Sequence, residues 1–209
     1  IKEADNCSKW VLYSDYCLDD KTKANAVMTF ALMPFESEEK YLTTQQIIAN
    51  LQSKDIKNTC CINPDFLKYI KERPLFVASF IINIRKWLFG DNHTKQVKAV
   101  VEALSSAGGC YEHWCNTAAN SDIFEYYKKK AKEVYSIVKQ IENTKTPNVK
   151  LHMDILLTAF LGAYFSYKVL EKSDVTIFGW FSDRDKVVSG EGNVITPIFH
   201  CWLHNLWHG

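Results

Sequence analysis

Residues 10–20 read WVLYSDYCLDD, and residues 175–185 read VTIFGWFSDRD. Each segment begins with an apolar stretch rich in aromatic and β-branched residues, which is typical of a buried strand. Each then runs into a turn that carries several aspartates. The two ends of the chain therefore predict two strands, the first followed directly by Asp15 and the second by Asp183.

The aspartates after these strands predict a site for a hard divalent cation. If the two strands are parallel neighbours, Asp15 and Asp183 meet at one edge of the sheet, with Asp185 beside them. Two such carboxylates hold Mg²⁺ or Mn²⁺ and position water against a phosphodiester, and Arg184 neutralises a phosphate. The leading prediction is a metal-dependent hydrolase of phosphodiesters, a nuclease, with Asp15, Asp183 and Asp185 as catalytic groups. The competing interpretation is that these aspartates bond nearby backbone amides in ordinary turns.

The composition predicts one globular domain. The chain has 209 residues, of which 47% are hydrophobic and 23% are charged. That is enough apolar material for a core. We expect a single domain over residues 1–209 with a helical insertion at about residues 91–147.

The net charge of +1 excludes a strong overall attraction to nucleic acid or to an anionic membrane. Contact with nucleic acid would depend on a local patch. The densest basic run is Lys128, Lys129, Lys130 and Lys132, for which a solvated helix face is the simpler interpretation. The longest apolar stretch, residues 155–167, is too short to span a bilayer and predicts a buried helix. We therefore expect no membrane partner.

Apolar residues at helical spacing dominate the middle of the chain. Clear helical patterns cover residues 94–106, 121–143 and 149–170, and Gly108 is the expected stop of the first. Three further helices are predicted from their start signals, which are Thr43 or Thr44 as a cap, Asn63-Pro64, and Thr196-Pro197.

The order of the elements predicts a mixed α/β fold with a large helical middle. A strand at residues 27–33 forms a hairpin with the first strand, and a strand at residues 75–84 merges into a short helix that ends at Gly90. The alternative is a mainly helical α+β domain.

This arrangement resembles the ribonuclease-H-like superfold and, within it, an uncharacterised prokaryotic family with an aspartate at a strand end. That superfold opens with a hairpin whose first strand bears a catalytic aspartate, and a later strand carries a second one. The resemblance implies a mixed sheet with Asp15 and Asp183 as metal ligands. Here Ser14-Asp15-Tyr16 stands where that family has Asp-Glu-Ser, and Glu191 is the one acidic residue that follows Asp185 in the sequence.

A second candidate metal site lies in the last ten residues. His200, His204 and His208 are spaced to lie on one helix face, and a His-x₃-His pair binds zinc when a further ligand comes from elsewhere. That ligand would come from a second cluster of soft side chains, Cys110, His113 and Cys115. The alternative is that these histidines border an apolar stripe that buries the helix.

Aromatic residues make up 13% of the chain and include six tryptophans. Such residues build ligand pockets and partner surfaces. The alternative function is therefore a non-catalytic module with an aromatic-rich pocket that binds a ligand or another protein.

Seven cysteines cannot all form disulfides within one chain. Their spacing matches no small disulfide scaffold, so we expect thiols and an intracellular, cytoplasmic protein. Cys60-Cys61 precede a predicted helix, where a nucleophilic thiolate would be favoured. The alternative is that they are small structural residues.

Overall fold

The computed structural model describes residues 4, 7–18, 25–54, 56, 59–82, 92–172, 174–182, 187 and 193–209. The described residues form a mixed α/β fold, as predicted. The strands are β1 (Lys9–Cys17), β2 (Ala26–Phe35), β3 (Phe76–Ile82) and β4 (Ile177–Ser182). The helices are α1 (Glu38–Leu51), α2 (Pro64–Lys71), α3 (His93–Cys115), α4 (Ser121–Asn143), α5 (Val149–Leu170) and α6 (Ile195–His208). The short helix predicted to end at Gly90 lies outside the described residues, and the finer ribonuclease-H-like resemblance stays a prediction.

The four strands form one sheet in the order β3-β2-β1-β4. β1 and β2 are neighbours, as a hairpin requires. Several even-numbered positions of both strands are buried: Trp10, Leu12 and Met28 are 0% exposed and Phe30 is 1% exposed. Since side chains alternate between the two faces of a strand, these residues lie on the same face of the sheet, and this face is buried.

β4 lies beside β1 and runs in the same direction. Just before the two strands, the backbone N–H of Thr176 donates to the carbonyl of Ser8 at 2.7 Å. Further along, the indole Nε1 of Trp180 donates to Oγ of Ser14 at 2.8 Å. The residue numbers rise together along both strands, so the pair is parallel and its carboxyl ends lie at the same edge of the sheet.

The chain divides into two compact units. The first consists of Ile1–Ser14, Thr29–Ser79 and Lys168–Phe181, and the second consists of Asp15–Met28, Phe80–Tyr167 and Ser182–Gly209. The first unit contains α1, α2 and most of the sheet, and the second contains α3, α4 and α6. The predicted single domain with an insertion at about residues 91–147 stays a prediction.

α1 begins earlier than its predicted cap. Ser37 lies in extended conformation and its Oγ accepts a hydrogen bond from the backbone N–H of Lys40 at 3.2 Å. The first turn that follows contains two glutamates, which interact favourably with the positive end of the helix dipole. The predicted start at Thr43 or Thr44 is wrong, because Ser37 and this acidic turn provide a complete start signal upstream.

The other two start signals have different outcomes. α2 begins as predicted at Pro64, and the side chain of Asn63 accepts from the backbone N–H of Asp65 at 2.9 Å. α6 is not capped by Thr196 as predicted, because Val194 holds the cap position and makes no side-chain cap hydrogen bond. The first turn of α6 is instead buried, with Ile195 at 3% exposed, so packing rather than capping stabilises this helix end.

α3 continues through the glycine that was predicted to end it. It extends to Cys115 and packs closely against α4 at Gly108. A Cβ atom added to Gly108 would lie 2.8 Å from Cζ of Tyr135, whereas one added to Gly109 would have no atom within 4 Å. Gly108 is therefore the position that lets the two helices approach, and not a helix stop.

α5 has the predicted bounds and extends beyond the apolar stretch of residues 155–167 at both ends. By length and composition this 22-residue helix is one that could cross a membrane, and 50% of its most apolar window is buried inside the structure. Its buried positions include Thr158, whose hydroxyl donates to Sδ of Met28 at 3.7 Å. This burial is consistent with the predicted buried helix.

Candidate functional site

The first predicted site begins at Asp15. This residue lies within β1, and not past its end as predicted, because the strand continues to Cys17. The side chain of Asp15 is exposed, and its Oδ1 accepts a hydrogen bond from the backbone N–H of Tyr16 at 3.0 Å. The parallel neighbour β4 ends at Ser182. The remaining predicted site residues follow Ser182 in the sequence and lie outside the described residues: Asp183, Arg184 and Asp185.

The predicted zinc ligands lie on two helices of the second unit. α6 carries His200, His204 and His208, and α3 carries Cys110, His113 and Cys115. The rings of His204 and His208 lie with their centroids 4.5 Å apart. In the part of the chain that the structure describes, no group of three or more His, Cys, Asp or Glu side chains is arranged to hold a metal ion. Zinc binding stays a prediction.

Two of these histidines instead line a cavity of about 550 Å³ in the second unit. Residues from the end of α3, the turn that follows it, the start of α4 and the middle of α6 form its wall. Most of the wall consists of rings, which belong to Tyr111, Trp114, Tyr126, Tyr127, His200 and His204. We call this space the aromatic cavity.

Trp114 is the centre of the rings in the aromatic cavity. The centroid of its ring system lies 4.8 Å from that of Tyr111, 5.8 Å from that of Tyr127 and 5.0 Å from that of His204. The contacts with Tyr111 and His204 are edge-to-face, with interplanar angles of 72° and 74°. Such pairs stabilise one another by about 0.5–1.5 kcal/mol beyond the area that they bury. The wall is therefore held in a defined arrangement by contacts among its own rings.

A part-buried hydrogen bond joins α3 to α6 in this wall. The hydroxyl of Tyr111 lies 3.0 Å from Nδ1 of His200, and Tyr111 is 0% exposed. Burial raises the pKa of Tyr111, so its hydroxyl stays protonated at neutral pH. Burial and then the nearby positive charge of Lys130 lower the pKa of His200. Both groups are consequently neutral at physiological pH.

Cys201 lies next to this pair on α6 and does not supply a thiolate. Its Sγ donates to the carbonyl of Ala107 at 3.4 Å. Burial, with a smaller contribution from Cys110, raises the pKa of the Cys201 thiol. Because the thiolate is the nucleophilic form of cysteine, this arrangement favours a structural thiol.

Comparison of the chain with protein-family models, curated proteins and solved structures finds no match. The function is therefore inferred from the geometry of the described residues.

The aromatic cavity contains residues that the sequence analysis missed. His200 and His204 were predicted as zinc ligands, but Tyr111, Trp114 and Tyr127 were not predicted at any site. The signal was present, because aromatic residues stand on both sides of the short turn between α3 and α4, and helices joined by a short turn pack side by side. The predicted end of α3 at Gly108 placed residues 110–115 outside the helix. These residues were therefore not expected to face α4.

Proposed function

We propose that the protein is a non-catalytic binding protein that holds a small aromatic molecule in the aromatic cavity. The observation that carries this proposal is a ring-lined cavity of about 550 Å³. Small-molecule sites in proteins are typically about 300–1,000 Å³ and are lined mainly by apolar and aromatic side chains with a few polar groups. The cavity meets both criteria, with His200 and His204 among its polar groups.

The chemistry of the wall favours binding over catalysis. The described residues that line the cavity carry no carboxylate, ammonium or guanidinium group. Burial lowers the pKa of His204, with smaller contributions from His208 and His113. A wall of neutral rings and imidazoles supplies stacking surfaces and hydrogen bonds, which suffice to bind and orient an uncharged ligand.

Replacing Trp114 with alanine is expected to weaken the binding of fluorene, a flat tricyclic hydrocarbon, by about tenfold or more. The indole contacts three other rings of the wall, so its removal takes away ligand contact and loosens the remaining rings. Equilibrium dialysis against fluorene measures the dissociation constant, and the intrinsic fluorescence of fluorene reports its concentration. Trp207→Ala is the matched control, because Trp207 is 52% exposed and does not line the cavity. Equal fluorene affinity in wild type and Trp114→Ala would exclude the aromatic cavity as the binding site.

We also propose a second function, a metal-dependent phosphodiesterase or nuclease that uses Mg²⁺ or Mn²⁺. In this proposal Asp15 and Asp183 hold the metal, Asp185 assists catalysis and Arg184 binds the phosphate. The supporting observation is that β1 and β4 are parallel neighbours, because the carboxyl ends of such strands lie at one edge of the sheet. Nucleic acid would contact the run of lysines at residues 128–132.

Asp15→Asn is the direct test of this second function. If Asp15 is a metal ligand, the Mn²⁺-dependent hydrolysis of bis(p-nitrophenyl) phosphate should fall by about 100-fold or more, since even outer-shell partners of metal ligands affect activity by 10–100-fold. The control is Asp122→Asn, an exposed acid in the first turn of α4. Unchanged hydrolysis and unchanged Mn²⁺ affinity in Asp15→Asn would rule out the hydrolase.

We further propose a reducing, cytoplasmic location. All seven cysteines lie within the described residues and are thiols. Cys60 and Cys61 are adjacent and exposed, and such thiols persist in a reducing compartment.

A further inference from the structure

The hydrogen bond between Tyr111 and His200 has a defined direction. The hydroxyl proton of Tyr111 is buried with the rest of that residue, which is 0% exposed. If Nδ1 of His200 carried the proton and donated it, the phenolic O–H would be left buried with no acceptor within that pair, which is unfavourable. The phenol therefore donates, and Nδ1 of His200 accepts at 3.0 Å.

This direction fixes the tautomer of His200. A neutral imidazole carries one proton, so when Nδ1 accepts, the proton is on Nε2. Burial and Lys130 disfavour a second proton by lowering the pKa of His200. His200 therefore offers an Nε2–H donor from the wall of the aromatic cavity.

The other polar groups of the wall do not require the ligand to be a hydrogen-bond acceptor. Thr117, Tyr126 and Tyr127 have hydroxyl groups, and a hydroxyl rotates to donate or to accept as the ligand requires. The hydrogen bond from Tyr111 to Nδ1 of His200 keeps the imidazole proton on Nε2. His200 can therefore accept a hydrogen bond at Nε2 only if its bond with Tyr111 breaks.

The charge of the ligand is limited by the same wall. The nearby cation Lys130 is paired with Glu133, whose Oε2 lies 2.7 Å from Nζ. The described lining carries no formal charge of its own. A charged ligand would give up its hydration without gaining a partner of opposite charge, which is unfavourable.

We propose that the ligand of the aromatic cavity is an uncharged, planar aromatic compound with a hydrogen-bond acceptor at its edge, a carbonyl oxygen or a ring nitrogen, that receives Nε2–H of His200. This inference rests on the proposed ligand-binding function and names the ligand class of the same site. Tyr111 acts in it as a positioning residue, because it sets the tautomer of His200.

Three tricyclic compounds of nearly the same shape test the proposal by equilibrium dialysis at neutral pH. 9-Fluorenone has a carbonyl acceptor at the bridging position, fluorene has a CH₂ group there, and carbazole has an N–H donor. One neutral hydrogen bond predicts about three- to tenfold tighter binding of 9-fluorenone than of fluorene. Carbazole should bind no more tightly than fluorene, because its N–H would meet another donor.

Two variants separate a tautomer effect from a loss of structure. Tyr111→Phe keeps the ring but removes the donor, so His200 is free to carry its proton on Nδ1 and to accept at Nε2. We expect the preference for 9-fluorenone to shrink and carbazole to gain affinity relative to fluorene. His200→Phe should abolish the preference while fluorene still binds.

In these dialysis measurements, a preference for 9-fluorenone that Tyr111→Phe leaves unchanged would overturn the inference. A preference for 9-fluorenone that Tyr111→Phe shifts toward carbazole supports the inference. If the three compounds bind equally well to the wild type and all are weakened in Trp114→Ala, the inference is wrong and the proposed binding function stands. If none of them binds, both are wrong.

Discussion

Replacing Trp10 with alanine should lower the free energy of unfolding by about 3–5 kcal/mol. Trp10 is 0% exposed and lies on the buried face of β1. Its indole Nε1 also donates to the carbonyl of Cys7 at 3.1 Å. Alanine would leave a cavity in the core and remove the hydrogen-bond partner of a part-buried carbonyl. Urea unfolding monitored by far-ultraviolet circular dichroism measures the change.

Trp207→Ala is the matched control for this prediction. Trp207 is 52% exposed near the end of α6, and we expect its replacement to change stability by less than about 1 kcal/mol. If Trp10→Ala does not fold, Trp10→Phe replaces it, and the larger loss is still expected at position 10. Equal unfolding midpoints for the variants at the two positions would contradict the assignment of Trp10 to the core.

Adding one methyl group to each of two adjacent glycines should change stability in opposite directions. Gly109→Ala is expected to raise the free energy of unfolding by about 0.5–1 kcal/mol, because alanine is the better helix former and a Cβ there has no atom within 4 Å. Gly108→Ala is expected to lower it by about 1–3 kcal/mol, because its Cβ would lie 2.8 Å from the ring of Tyr135. Displacing that ring would also break the bond from the Tyr135 hydroxyl to Oε2 of Glu112, at 3.0 Å.

A double variant identifies the cause of the second effect. If the clash with Tyr135 destabilises Gly108→Ala, that substitution should become nearly neutral or stabilising in a Tyr135→Ala background. Thermal unfolding of the four variants and the wild type provides the comparison. An equal gain in stability from both glycine substitutions would show that α3 and α4 are not in close contact at position 108.

Local patterns were sufficient to predict most elements of the fold. α4 has the predicted bounds, Ser121–Asn143, because its apolar residues repeat at helical spacing along a single buried stripe. α5 also has its predicted bounds, Val149–Leu170. Start and stop signals were less reliable. Ser37 was overlooked in favour of two threonines, and Gly108 was interpreted as a stop although its role depends on Tyr135, a residue distant in the sequence.

The candidate site was harder to predict because its residues come from three elements. The individual rings of Tyr111, Trp114 and Tyr127 look like ordinary core residues in the sequence. Their common function follows from the packing of α3 against α4 and from the contribution of His200 by α6. The tautomer of His200 depends on its hydrogen bond with Tyr111, which lies 89 positions away in the sequence. A local sequence pattern cannot predict such a contact.

The pairing of β1 with β4 also has a consequence for synthesis of the chain. The bonded residues Ser8 and Thr176 are 168 positions apart. A nascent chain on the ribosome cannot form this bond until Thr176 has emerged, so β1 lacks β4 as a neighbour while the residues between the two strands are synthesised. Closing so long a loop is entropically costly and tends to be slow. The side of β1 that β4 later covers is therefore open to other chains until the residues of β4 have been synthesised.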